Sequence, residues 1–179
     1  MSKFYFLLWL NWSYRVTVSS VFMASLLSLI VCVYVYFSQG MPVFSIKIFG
    51  ALFSVFKFYF PLFWSLTFLL ALFRALKHIF NKPFAGYELK LLECGSKEVL
   101  EVIGYGDLVK VWRKWFMLII WLVGAQMIIS IAFTHFFTSY SGVFEWFNIY
   151  FLYVFVLLAG YISFIILAGR CKRVKVVKC

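Results

Sequence analysis

Four long apolar runs leave this chain little choice of fold. A stretch of about 20 apolar residues matches the hydrocarbon core of a bilayer. Lipid offers no partner to a bare backbone, so such a stretch must satisfy its own N–H and C=O groups as a helix. The clean runs are residues 16–37, between Arg15 and "SQG"; 115–137, between "KVWRK" and "TSYSG"; and 146–169, between Glu145 and "RCKR". Each carries tryptophan or tyrosine near at least one edge, where a membrane interface expects them. Composition agrees. The chain is 65% apolar and only 13% charged, whereas a soluble domain runs at about 45–50% and about 25%. The predicted fold class is an all-α polytopic membrane protein with four transmembrane helices.

The second run is less clean. Residues 43–73 are apolar except for Lys47 and Lys57, and "VFKFYFPLFW" adds Pro61. Lys57 lies 17 positions before Arg74, about 25 Å of helix at 1.5 Å per residue. That count puts Lys57 near the outer boundary, with its ammonium snorkelling into the interface. Pro61 then falls early in the helix, where a missing N–H costs least. This reading divides the run into an outer-face amphipathic segment at 43–56 and a second span at 57–76. Residues 1–15 are apolar but broken by Asn11, Ser13 and Arg15, and are expected to form an interfacial helix. No cleavage site marks them as a signal peptide.

Charge sets the orientation. With four spans both termini share one side, together with the loop at 77–114, the Arg74 at its basic edge, and the basic tail at 170–179. That side collects fifteen Lys and Arg; the other has only Lys47 and Lys57. The positive-inside rule then puts the termini and the loop of about 40 residues in the cytoplasm, in a cell (inner or plasma) membrane. The net charge of +11 is accounted for by anionic lipid at segment edges, and no nucleic-acid partner is implied.

The loop has basic edges and an acidic middle. Glu88, Glu93, Glu98 and Glu101 are its candidate partner contacts. "NKPFAGYELKLLECG" reads as a helix capped by Asn81, with Pro83 in the first turn and Gly95 beyond its end; "SKEVLEVIG" reads as a second. The same letters also read as a hairpin, with Tyr87, Leu89 and Leu91 alternating and a turn at Gly95–Ser96. The helical version is the expected one, with Asp107 capping the helix that leads into span three. A DNA-binding helix-turn-helix is excluded because Glu98 and Glu101 would meet phosphate with the wrong sign.

Within the spans, Ser20, Ala24, Ser28 and Cys32 recur every fourth residue. Small side chains at that spacing let helices approach closely. Ala159 and Ser163, with Gly160 beside them, form a lesser version. Gln126 sits near mid-span with Ser130 one turn on. A buried amide needs a hydrogen bond, so an interhelical bond to a serine is expected. His78 and His135 lie at opposite ends of their spans, and the four cysteines show no ligand spacing. No metal, cofactor, catalytic constellation or phosphate loop is implied.

The expected function is a non-enzymatic membrane interaction protein. Its partners are the lipid bilayer and another integral membrane protein or complex, which it would regulate, inhibit or assemble. In size, basic charge and topology the outline resembles immunity proteins to pore-forming bacteriocins and exclusion proteins of conjugative elements. No motif carries that likeness. The alternative is a homo-oligomeric channel or carrier subunit built around Gln126 and Ser130.

Overall fold

The computed structural model describes residues 2–40, 45–92, 99, 104–137, 148–170 and 174–178, the side chains of 135–137 and 170 excepted. It is mostly helical. The elements in order are α1 (Ser2–Ser38), α2 (Ile46–Lys77), β1 (Pro83–Phe84), β2 (Tyr87–Leu91), α3 (Tyr105–Phe137), α4 (Ile149–Arg170) and β3 (Val174–Lys178). All four helices are long and apolar enough to cross a membrane.

Two expected breaks are not breaks in the helix. α1 runs unbroken from Ser2 through Asn11, Ser13 and Arg15. Ser13 turns its hydroxyl back on the Leu10 carbonyl at 3.1 Å, so the polar side chain is satisfied without leaving the helix. α2 likewise joins residues 46–56 to residues 57–76 in one element containing Pro61. Proline removes one rung, the N–H that would reach the carbonyl of Lys57. A ladder of rings spans the gap: Phe56 stacks on Phe60, Phe60 on Trp64, and Tyr59 on Phe63. Ser45 accepts the Ile48 N–H at the start of α2. Asn148 accepts those of Tyr150 and Phe151 at the start of α4. Both are side-chain N-caps.

The fold is not all-α. β1, β2 and β3 form a three-stranded antiparallel sheet in the order β1-β2-β3. The expected helix over 81–95 is a hairpin from Pro83 to Leu91. Ala85 and Gly86 both take positive φ (49° and 79°) between Phe84 and Tyr87, as a tight two-residue turn requires. Asn81 is not a helix cap. It sits at φ 55° and donates its N–H to the Leu89 carbonyl at 3.0 Å. Period-two alternation in "YELKL" outweighs the capping signals because its apolar side has somewhere to go. Leu89 and Leu91 are buried. Further on, Leu92 bridges antiparallel to Val99, where a second helix was expected; Gly95 and Ser96 lie outside the described residues. The basic tail is not a free tail, since residues 174–178 form β3. α3 begins ten residues before the expected span. The Leu108 N–H bonds to the Gly104 carbonyl, which puts Asp107 inside the first turn instead of at the cap. There it faces the positive end of the helix dipole and lies 3.6 Å from Lys110.

The chain divides into two compact units: Met1–Ser13 with Leu76–Cys179, and Tyr14–Ala75.

Candidate interaction sites

The first unit is closed by aromatic rings. Trp12 is fully buried and meets Trp115 and Phe164 edge-on, at ring separations of 5.6 and 5.3 Å. Trp115 stacks on Phe164. Gly160 makes room for this: a β-carbon there would fall on the Trp12 ring. The Trp115 indole N–H donates to the Ser163 hydroxyl at 2.8 Å, and Ser163 donates on to the Gly160 carbonyl at 2.7 Å. Trp9 donates to the Leu157 carbonyl at 2.8 Å. The predicted packing residues Ala159 and Ser163 are both buried here.

Sheet register gives this unit two unlike faces. Tyr87, Leu89 and Leu91 pair with Lys178, Val176 and Val174, forming a mostly apolar face; Phe4 lies 5.9 Å from the Tyr87 ring. Glu88 and Lys90 pair with Val177 and Lys175 on the other face. Glu88 and Lys90 are 3.4 Å apart. Of the predicted loop contacts only Glu88 can be placed; Glu93, Glu98 and Glu101 lie outside the described residues.

Gln126 does not make the expected interhelical bond. Its side-chain nitrogen and oxygen are both buried with no partner among the described residues. Ser130 accepts a bond at its carbonyl from Thr134 at 3.1 Å. It lines an apolar recess with Ile129, Phe133, Thr134 and Phe151.

The second unit is a pair of antiparallel helices. Ser20, Ala24, Ser28 and Cys32 are all buried. The Ser20 hydroxyl accepts from the Trp64 indole at 3.1 Å, and the Ser20 carbonyl accepts from the Thr67 hydroxyl at 3.0 Å. Ser28 bonds the Ala24 carbonyl within its own helix. Cys32 lies 3.4 Å from the Leu52 carbonyl. Around that contact lies a groove of about 490 Å³, lined by Leu29, Cys32, Val33, Tyr36, Phe49, Leu52, Phe53 and Phe56. Lys57 stands at its rim, exposed, with its ammonium 4.7 Å from the Phe53 ring centre. A count from Arg74 puts Lys57 near the end of a span, whereas a count across the helix pair from Leu52 and Cys32 puts it level with Leu27.

Sequence reading missed the tryptophans. Trp115 looks like an interfacial belt residue and Trp64 like one more ring in an apolar run, yet each reaches a buried serine across a helix pair. A buried indole N–H needs such a partner, but the partners lie 44 and 48 positions away. The small-residue spacing around Ser20 and Ser163 was the only available signal. Among the described residues no group of three or more His, Cys, Asp or Glu side chains could hold a metal ion. Compared with family models, curated proteins and solved structures, the chain matches none.

Proposed function

We propose that this chain is a non-enzymatic, multi-pass membrane protein with cytoplasmic termini that docks on a larger membrane complex and regulates, inhibits or assembles it. The observation that carries the reading is the pairing of residues 87–91 with residues 174–178. It ties the loop between the second and third helices to the C-terminal segment, so both belong on one side of the membrane. The fifteen-to-two charge split then assigns that side to the cytoplasm. The joined strands offer a partner a small surface of fixed charge, Glu88, Lys90 and Lys175, in place of two unstructured segments.

Crosslinking in native membranes, read by mass spectrometry, tests this. One larger membrane protein should be recovered repeatedly, with crosslinks to the sheet. Its loss on Glu88→Lys with Lys90→Glu would support the sheet as contact. Recovery of nothing but copies of the chain would contradict the reading. The buried, unpartnered amide of Gln126 favours the second reading, in which copies assemble around α3 and the amide finds a partner there. Solute flux in vesicles that changes with Gln126→Ala would support it.

A further inference from the structure

We infer that Lys57 is a docking charge in the middle of the membrane, and that the groove beside it receives a transmembrane helix from a partner that carries a carboxylate at the same depth. The inference rests on the interaction reading above and names the partner's chemistry.

Depth comes from the helix pair. Leu52 is level with Cys32, and Trp64 and Thr67 are level with Ser20. Five residues inward from Leu52, Lys57 is level with Leu27. Leu27 is 12 positions from Arg15 and 11 from Ser38, about 18 and 16 Å at 1.5 Å per residue. Those residues bound the apolar run of α1, so Leu27 is at its centre. A four-carbon stem cannot carry the Lys57 ammonium across three turns of helix to water. An ionisable residue at such a depth is costly and calls for a partner.

The chain supplies little of what Lys57 needs. Phe53 gives the ammonium a ring face at 4.7 Å, a weak attraction beside a full ion pair. Pro61 brings no N–H to the Lys57 carbonyl, four residues back, so one backbone acceptor there lacks its helical donor. No carboxylate pairs with Lys57 among the described residues. All six acidic residues lie at 88–107 or at Glu145, outside the four apolar runs. A second copy of the chain therefore offers no negative charge at this level. A lipid acyl chain would fill the groove, but its phosphate belongs at the interface, too far from Lys57. A foreign helix with a buried Asp or Glu supplies both the apolar volume and the charge.

The probe is a set of synthetic leucine–alanine helices of about 20 residues with Asp, Asn or Leu at the centre. Association with the purified full chain is measured by energy transfer in phosphatidylcholine vesicles. The Asp helix should bind at least about tenfold more tightly than the Leu helix. Lys57→Gln should abolish that advantage and Lys57→Arg keep it. Val33→Trp, which fills the groove and leaves Lys57 in place, should weaken the Asp helix as well. Equal binding of the Asp and Leu helices, or an Asp preference that survives Lys57→Gln, would overturn the inference. So would a Lys57→Cys that reacts with water-soluble maleimide as fast as Lys47→Cys. If native-membrane crosslinks to a larger protein persist undiminished in Lys57→Gln, the docking charge is wrong while the interaction reading stands. If wild type gives no such crosslinks, the interaction reading itself fails.

Discussion

Two helix pairs in this molecule use the same fastening to different ends. α3 and α4 are joined by Trp115 donating to Ser163; α1 and α2 are joined by Trp64 donating to Ser20. In each, an indole on one helix reaches a buried serine on the other. Around Trp115 the joint is sealed, with Trp12 lodged over Gly160 and Phe164 stacked beneath. Along the α1–α2 pair the fastening holds at Ser20 and Thr67 but gives way around Cys32 to a groove with Lys57 near its inner end. The first joint is filled by rings; the second leaves an apolar groove beside an exposed lysine.

Substitutions should separate the two pairs by size of effect. Trp12→Ala should be the most damaging, at about 3–5 kcal/mol for loss of a large buried ring, measured by reversible unfolding in mixed detergent micelles. Gly160→Ala should cost about 1–3 kcal/mol, because the added methyl meets the Trp12 ring and forces it aside. Trp115→Phe and Trp64→Phe keep an aromatic ring but lose the indole N–H and its bond. For the bond alone each should cost about 0.6 kcal/mol, the average for interhelical hydrogen bonds in membranes, and no more than about 1.7 kcal/mol. Phe53→Ala, at the half-exposed lip of the groove, should change stability by less than about 0.5 kcal/mol. A Phe53→Ala as costly as Trp12→Ala would mean the groove is closed in the folded protein and would erase the contrast.

Much of the helical framework was legible in the sequence, because hydropathy over about 20 residues is a strong and local signal. What the sequence hid depends on partners distant along the chain. "VKVVK" alternates for only five residues and reads as a basic tail until "YELKL", more than 80 positions earlier, is set beside it. The hairpin at 83–91 lost to a helical reading because Asn81, Pro83 and Gly95 imitate caps. The division of the second run at Lys57 failed for a different reason. Lysine and proline look like a boundary in one dimension, but stacked rings at four-residue spacing carry α2 straight through them. The small residues Ser20, Ala24, Ser28 and Cys32 could be picked out by spacing alone. The tryptophan that fastens onto Ser20 could not.

The proposed topology requires the loop and the C-terminal strand to share the cytoplasmic face. Single cysteines at Glu88→Cys and Lys175→Cys, neighbours on the charged side of the sheet in an otherwise cysteine-free chain, test this directly. A membrane-impermeant maleimide should leave both unlabelled in intact cells and label both in inverted vesicles. Labelling of either from outside intact cells, or of the two from opposite sides, would contradict it.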